Sequence, residues 1–298
     1  MLKAINSWSI PGEWTTFARL PETFRLVKAL GFEGIELSFD PDGPIGFNST
    51  ADEMAQLRKA AKDAGLALTS LATGAFWSTN FGQEDADKRA QARKVAVKML
   101  ELGQALGVST LLVIPAAVDI CFIPEEPVVP YEMVFTRTMD AMRALVPDCE
   151  RTGVRIGLEN VWNKAFLSPL ETKYMLDAIG SPWIGTYFDV GNVLLTGYPE
   201  QWIRLLGEKI FSVHFKDYKR AVGSLDGFVD LLEGDVNWPA VITALTDIGY
   251  QGAVVAEMIP QYRFHPWARV ENASNAMDWI LGRKDEAQLV KNGSCCCK

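Results

Sequence analysis

Residues 153–160 read Gly-Val-Arg-Ile-Gly-Leu-Glu-Asn, and this stretch decides the fold because its pattern recurs along the chain. An amphipathic segment stops at Gly153, and a short, mostly apolar run follows over 154–159. Glycine is favoured just past the end of a helix because that position often takes a left-handed conformation. A short, nearly continuous apolar run is typical of a strand buried on both faces. The stretch therefore predicts a junction between a helix and a strand of a parallel sheet.

The same junction occurs six further times, and in each case a glycine precedes a β-rich apolar run. These pairs are Gly31 with 33–38, Gly65 with 66–72, Gly107 with 108–114, Gly180 with 183–189, Gly207 with 210–214 and Gly249 with 253–257. An opening strand over 2–8 brings the predicted strands to eight, with seven helical segments between them. Alternating strands and helices predict a parallel sheet. Eight such units in 298 residues favour a single closed (β/α)₈ TIM barrel.

Helix-start signals agree with this phasing. Thr50 with Glu53, and Ser168 with Glu171, fit capping boxes, and Pro169 stands at a first helical position. An open, doubly wound sheet is the alternative fold. It would favour a glycine-rich loop after the first strand, but segment 7–13 contains one glycine. The signals therefore favour the barrel.

One domain is expected over 1–282, closed by a final helix at about 267–281. A polar, flexible tail is expected over 283–298, and it carries three successive cysteines at 295–297. The connections that follow the third, fourth and seventh strands are long. Long loops at the carboxyl end of a barrel commonly determine specificity.

Composition narrows the classes of partner. The chain has 29 Lys plus Arg against 37 Asp plus Glu, a net charge of −8, which disfavours a nucleic-acid binder. No apolar run approaches the roughly 18 residues that span a bilayer, and segment 1–11 lacks the apolar core of a secretory signal. No CxxC spacing indicates a disulfide framework or zinc knuckle. We expect a cytoplasmic protein without a membrane partner.

Four predicted strands end at a residue that can bind a metal ion: Glu159, Asp189, His214 and Glu257. In a closed parallel barrel these ends meet at one mouth. Three carboxylates and one imidazole suit a hard or borderline divalent ion, with Mn²⁺ preferred and Mg²⁺, Co²⁺ or Zn²⁺ as alternatives. Each residue taken alone could be an ordinary polar strand end. Four in succession, in a chain with two histidines, favour a single-metal site.

Sequence motifs around these residues resemble the sugar-phosphate isomerase/epimerase superfamily of xylose-isomerase-like barrels. The similarity is greatest to ketose 3-epimerases, including L-ribulose-5-phosphate 3-epimerase-like proteins, and extends over about residues 2–282. The motifs are GLENVWNK at 157–164, YFDVGN at 187–192, VHFKD at 213–217 and AE at 256–257, with GFEGIEL at 31–37.

The resemblance implies epimerisation at carbon 3 of a ketose or ketose phosphate through a cis-enediolate. A divalent ion would stabilise that enediolate. Glu159 and Glu257 would act as an acid/base pair and also bind the ion. Asp189 and His214 would be ligands only. The partner implied is a small sugar or sugar phosphate.

Comparison with the free-ketose epimerases suggests some substrate contacts. Arg220 lies six residues after His214 and matches their substrate-binding arginine. Asn192 stands where they have a histidine, which puts free-ketose specificity in doubt.

Other substrate contacts are suggested by position alone. Lys164 and Lys216 follow ligand-bearing strands and offer charge to a phosphate. Glu36 ends the second strand at the same mouth, where it could bind a substrate hydroxyl or support a ligand residue. Trp14 lies where aromatic residues form a wall against a sugar. The full set of candidate substrate contacts is Trp14, Glu36, Lys164, Asn192, Lys216 and Arg220.

Several alternatives stay open. An aldose–ketose isomerase could use the same residues, as could a dehydratase or lyase that acts on a keto-sugar or cyclitol. A sugar-binding protein without catalysis is the non-enzyme alternative. The related apurinic endonucleases have histidine-rich, multi-metal sites, which a chain with two histidines does not match. Analogy with related barrels suggests a homo-oligomer.

Overall fold

Eight parallel strands close into a barrel in the computed structural model, which describes residues 1–123 and 126–285. The order around the barrel, in the labels below, is β1-β10-β7-β6-β5-β4-β3-β2. The (β/α)₈ prediction is confirmed. The strands are β1 (Leu2–Asn6), β2 (Gly34–Phe39), β3 (Ala67–Thr73), β4 (Thr110–Val113), β5 (Arg155–Glu159), β6 (Ile184–Asp189), β7 (Ile210–Phe215), β8 (Asp217–Tyr218), β9 (Phe228–Val229) and β10 (Ala253–Ala256).

Helices surround the barrel and follow the strands in the predicted alternation. The helices are α1 (Leu20–Ala29), α2 (Ala51–Asp63), α3 (Ala86–Leu106), α4 (Tyr131–Thr152), α5 (Pro169–Ile179), α6 (Val190–Val193), α7 (Pro199–Leu206), α8 (Trp238–Asp247) and α9 (Pro266–Ile280). Across the described ranges, none of these helices is long and apolar enough to span a membrane.

The glycine junctions form as predicted. All seven junction glycines have a positive φ, from 52° at Gly207 to 91° at Gly31. L side chains rarely adopt this conformation, whereas glycine does so without steric cost. Each glycine therefore ends a helical segment and turns the chain back into the sheet.

Helix starts are confirmed at Thr50 and corrected in part at Ser168. Thr50 and Glu53 form a reciprocal capping box, each side chain accepting from the other residue's backbone N–H. Ser168 accepts from the N–H of Glu171 at 3.2 Å. The Glu171 carboxylate instead accepts from the N–H of Leu167 at 3.0 Å, so the second half of that box is displaced by one residue.

Six of the eight barrel strands end one or two residues from their predicted positions, as β1 and β10 illustrate. β1 stops at Asn6, because the Asn6 side chain accepts from the N–H of Trp8 at 2.6 Å and caps a short 3₁₀ turn. β10 stops at Ala256, one residue before Glu257. Residues 286–298, which include the cysteine run, lie outside the described residues, and the domain boundary at 282 stays a prediction.

The long connection between β7 and α8 is built around the buried carboxylate of Asp217. This carboxylate accepts from the N–H groups of Leu232 at 3.0 Å and Val236 at 3.2 Å, and from the Trp238 indole at 3.0 Å. The backbone forms a small antiparallel pair, β8 with β9, above the barrel. Asp217 therefore fixes the loop that begins at Lys216.

We predict that Asp217→Ala lowers the free energy of unfolding by about 3 kcal/mol, because buried N–H donors lose their acceptor. Urea unfolding followed by circular dichroism measures the change. The matched control Asp226→Ala, at an exposed position of the same loop, should cost less than about 0.5 kcal/mol. Equal, small losses in both variants would contradict the anchoring role of Asp217.

Candidate active site

Four side chains meet at the carboxyl end of the barrel, as predicted. Glu159 and Asp189 are the last residues of β5 and β6, His214 is the penultimate residue of β7, and Glu257 directly follows β10. One ligand atom from each of the four lies within 4.8 Å of all the others, and all four side chains are buried. We call these four residues the ligand cluster.

The cluster has the properties of a cation site. Asp189 Oδ2, His214 Nδ1 and Glu257 Oε2 are buried atoms without a hydrogen bond of normal geometry in the described part of the chain, although Lys216 Nζ forms ion pairs with both carboxylate oxygens. Buried polar atoms almost always have a partner. Carboxylate oxygens and an imidazole nitrogen are ligands for Mn²⁺, Mg²⁺, Co²⁺ and Zn²⁺. The residues therefore fit one divalent ion.

Glu36 orients the imidazole of His214. The Nε2 atom of His214 lies 2.7 Å from Glu36 Oε1, and both side chains are fully buried. Its other nitrogen, Nδ1, lies 3.5 Å from both Glu159 Oε1 and Glu257 Oε2. A proton on Nε2 that is donated to Glu36 leaves the lone pair of Nδ1 for the cluster. A carboxylate behind a metal-binding histidine fixes the ring and raises its basicity.

The environment of Glu36 excludes a substrate contact and favours its other predicted role, the support of a ligand residue. Its carboxylate also accepts from Asn6 Nδ2 at 2.5 Å, Ser70 Oγ at 2.6 Å and the Tyr187 hydroxyl at 2.5 Å. Four donors saturate both oxygens, and the residue has no exposed surface. Glu36 supports a ligand and does not reach the substrate space.

Lys216 adds a buried positive charge to the cluster. Its Nζ lies 2.5 Å from Glu257 Oε2 and 3.3 Å from Asp189 Oδ2. Its side chain also passes over the ring of Phe228, with Nζ 4.9 Å from the centroid. Lys216 therefore balances part of the charge of three carboxylates and lies beside the substrate space.

These charges give different pKa values to Glu159 and Glu257, the two glutamates predicted to act as acid and base. Burial raises the pKa of Glu159 to about 7, and the charge of Glu257 acts in the same direction. Burial would also raise the pKa of Glu257, but the charges of Lys216 and His214 outweigh it and hold that pKa below its usual range. Different environments of this kind commonly divide acid and base roles between two carboxyl groups.

The other charged residues of the cluster also have shifted pKa values. Burial raises the pKa of Asp189, although Lys216 opposes the rise. Burial would lower the pKa of His214, but Glu36 and Glu257 outweigh it and raise that pKa well above its usual value. A cation bound to Nδ1 would displace the proton that this environment favours, so binding would release a proton.

Two asparagines hold the β6 end of the site. Asn160 donates to the carbonyl oxygen of Asp189 and accepts from its N–H, both at 2.8 Å. Asn192 donates through its N–H to Asp189 Oδ1 at 2.7 Å and through Nδ2 to the carbonyl of Asn160 at 3.0 Å. These bonds fix one oxygen of Asp189 and leave Oδ2 directed at the cluster. Asn192 also lines the substrate space.

A cavity of about 460 Å³ opens above the cluster, and we call it the mouth cavity. Glu159, Asn192, Lys216 and Glu257 are its polar lining residues within the described chain. Its other walls are mainly aromatic and aliphatic. The aromatic residues in this lining are Trp8, Trp77, Phe122, Trp162 and Phe228.

Three predicted substrate contacts lie outside the mouth cavity. The Lys164 ammonium pairs with Asp119, and its side chain is 63% exposed. Arg220 is exposed, with its guanidinium 5.9 Å from the ring centroid of Tyr198. Trp14 packs edge to face on Trp267, with centroids 5.4 Å apart. Lys164, Arg220 and Trp14 therefore do not line the mouth cavity, and their roles as substrate contacts stay predictions.

The sequence alone did not reveal the residues that hydrogen-bond to Glu36 or the aromatic residues that loops contribute to the cavity. Asn6, Ser70 and Tyr187 are inward-facing strand residues, and aligning the strands by layer would have placed them beside Glu36. Phe122 and Phe228 come from long loops. No periodicity determines the direction of such loop side chains.

Comparisons with known proteins agree with this geometry. The model of a family described as xylose isomerase-like TIM barrel matches residues 24–282. The L-ribulose-5-phosphate 3-epimerase UlaE of Salmonella paratyphi C is 25% identical over 273 residues, which cover 91% of this chain and 92% of that protein.

Solved structures show the same fold. A structure of D-psicose 3-epimerase, determined in the presence of D-fructose, has a TM-score of 0.76 at 20% identity and covers 95% of this chain and 100% of its own. A structure of the IOLI protein with a zinc atom has a TM-score of 0.75 at 16% identity, with coverages of 96% and 100%.

We predict that Glu36→Gln weakens Mn²⁺ binding by about 10- to 100-fold, because a neutral amide supports His214 less well than a carboxylate. Calorimetric titration of Mn²⁺ into the metal-free protein measures the dissociation constant. Glu271→Gln, at an exposed position of α9, is the control and should bind Mn²⁺ like the wild type. Unchanged affinity in Glu36→Gln would contradict the orienting role of Glu36.

We predict that Lys216→Met lowers the free energy of unfolding of the metal-free protein by about 3 kcal/mol, because buried carboxylates lose their cation. Saturating Mn²⁺ should restore most of the loss, since the ion supplies positive charge at the same place. Urea unfolding with and without Mn²⁺ tests this, with the exposed Lys219→Met as control. A Lys216→Met protein as stable as wild type without metal would refute the charge-balancing role.

Proposed function

The chain belongs to the xylose isomerase-like TIM barrel family, and we propose that it is a divalent-metal-dependent epimerase that inverts carbon 3 of a ketose or ketose phosphate. The observation that carries the proposal is the ligand cluster at the floor of the mouth cavity. It places two glutamates that line the mouth cavity beside a cation site. Inversion next to a carbonyl requires these elements.

The two glutamates supply the proton transfer. One carboxylate removes the proton from carbon 3 and leaves an enediolate, and the other carboxyl group returns a proton to the opposite face. Glu159 and Glu257 both line the mouth cavity, and each lies 3.5 Å from His214 Nδ1. Positioned acid/base groups of this kind contribute about 10²- to 10⁴-fold to rate.

The remaining residues hold these groups in place and keep water out. Asp189, His214 and the two glutamates would hold the ion, which supplies Lewis-acid stabilisation of negative charge on the substrate oxygens. Glu36 fixes the ring of His214, and Asn160 fixes Asp189. The aromatic walls of the mouth cavity limit access of water to the reacting carbon.

The relatives support this proposal. The matched curated proteins include L-ribulose-5-phosphate 3-epimerases, and the structural neighbours include D-psicose 3-epimerase. The prediction that the chain is an enzyme is confirmed. We propose Mn²⁺ as the ion, a small sugar as the partner and a cytoplasmic location; a homo-oligomer stays a prediction.

We predict that the Mn²⁺-loaded protein exchanges hydrogen for deuterium at carbon 3 of D-fructose in D₂O, because removal and return of this proton is the proposed reaction. Proton NMR measures loss of the carbon 3 signal and the appearance of the epimer. Deuterium at carbon 1 alone would contradict epimerisation and support the isomerase alternative. Protein treated with EDTA is the control.

Glu257→Gln and Glu159→Gln should each lower exchange at saturating Mn²⁺ by about 10²-fold or more, because one face of the carbon loses its proton carrier. Sugar binding, followed by calorimetry, should persist, since the mouth cavity is unchanged. Exposed Glu271→Gln is the matched control. Undiminished exchange in either cavity variant would remove that glutamate from the acid/base pair.

A further inference from the structure

The mouth cavity offers few polar partners to the part of a sugar that lies away from the cluster. Each of its four charged or amide residues already has at least one partner. Glu159 and Glu257 belong to the cluster, Lys216 pairs with Glu257 and Asp189, and the Asn192 side chain donates to a backbone carbonyl. Each buried hydroxyl group needs a hydrogen-bond partner, and an unpaired one costs binding energy. The polar set therefore suffices for the reacting carbons but not for several further hydroxyl groups.

A phosphate group on the substrate would also lack binding partners in this cavity. Lys216 is the one cationic lining residue in the described chain, and two carboxylates already surround it. Lys164 pairs with Asp119 outside the cavity, and Arg220 is exposed beside Tyr198. A phosphate dianion at the remote end of the substrate would meet aromatic walls and no free cation among these residues. Charge burial without a partner is strongly unfavourable.

The walls suit a flat apolar group. Trp77 packs edge to face on Phe122, with centroids 4.9 Å apart, on the side formed by the loops after β3 and β4. Trp162 packs on Phe228, with centroids 5.2 Å apart, on the side formed by the loops after β5 and β7. Rings gain energy from offset or edge contacts with further aromatic rings. A sugar can stack one face on such a ring, but its hydroxyl edges would stay unpaired.

The cavity also has room for more than a sugar. A second cavity of about 680 Å³ adjoins it and shares Val161, Trp162, Asn192 and Leu225 with its lining. Cavities of roughly 300–1,000 Å³ accommodate drug-sized ligands. The second cavity is lined by Lys164 and Asp226 as well as by Trp162, so we place the substituent in the mouth cavity itself.

We propose that the substrate is a keto-sugar that carries an aromatic substituent, in place of a phosphate, on the part remote from the reacting carbonyl. The sugar carbons that react lie over the ligand cluster, and the ring lies between the Trp77–Phe122 and Trp162–Phe228 pairs. This inference rests on the proposed function for the orientation of the sugar. The choice of an aromatic group over a phosphate rests on the lining of the cavity alone.

Three probes that differ only at oxygen 6 test the inference: D-fructose, D-fructose 6-phosphate and 6-O-benzyl-D-fructose. With the Mn²⁺-loaded full chain, kcat/KM for deuterium exchange at carbon 3 should be at least about tenfold higher for the benzyl ether than for D-fructose. The phosphate should be no better than D-fructose. Equal rates for all three, or preference for the phosphate, would overturn the inference.

Alanine substitutions of the cavity tryptophans test where the aromatic substituent binds. Trp77→Ala and Trp162→Ala should each reduce the ratio of the benzyl rate to the D-fructose rate several-fold, because each removes one wall. Tyr174→Ala, at an exposed aromatic residue of α5, is the matched control and should keep the wild-type ratio. Circular dichroism and Mn²⁺ titration establish that each variant is folded and binds metal. An unchanged ratio in both tryptophan variants would overturn the assignment of the ring to this cavity.

Calorimetric binding of the same three probes separates this inference from the proposed function. If no probe exchanges at carbon 3, epimerisation of these ketoses fails. The inference then stands if the benzyl ether binds at least about tenfold more tightly than the other two probes. Equal affinities, tighter binding of the phosphate or no binding of the benzyl ether would overturn it.

Discussion

Three buried carboxylates converge on one imidazole nitrogen and require positive charge among them. The other residues at the carboxyl end of the barrel are arranged to meet this requirement. Removing carboxylates from water is costly unless cations and donors compensate. Lys216 supplies one charge from the strand end next to His214. Glu36 leaves the Nδ1 atom of His214 facing the cluster by binding its other nitrogen. A divalent ion would supply the charge that these residues lack.

The sequence permits prediction of the fold and the ligand cluster because both depend on local patterns. Gly153 and the glycines of six similar junctions occur where the backbone takes a positive φ between a helix and the next strand. Glu159, Asp189 and His214 lie at strand ends, and parallel strands bring such ends together. Lys216 was also identified, although its partners were expected to be phosphate oxygens and are Glu257 and Asp189.

Two side chains lie outside the mouth cavity although their positions along the chain pointed to it. Lys164 follows a ligand-bearing strand, but a left-handed turn with φ of 55° takes it to the surface, where it pairs with Asp119. Glu36 lies in the middle of β2, and its direction depends on packing against three other strands. Phe122 and Phe228 reach the cavity from long loops. Such outcomes depend on long-range contacts, which spacing along one sequence does not encode.

The cluster and the cavity above it point to separate properties of the enzyme. We propose that the cluster performs the chemistry and that the aromatic walls select the sugar derivative. The most direct test of the central claim is a crystal structure of the Mn²⁺-soaked protein, with anomalous diffraction used to locate the ion. We predict one Mn²⁺ bound by Glu159, Asp189, Glu257 and the Nδ1 atom of His214. An anomalous map with no peak at the cluster, while Mn²⁺ is bound elsewhere, would contradict the account.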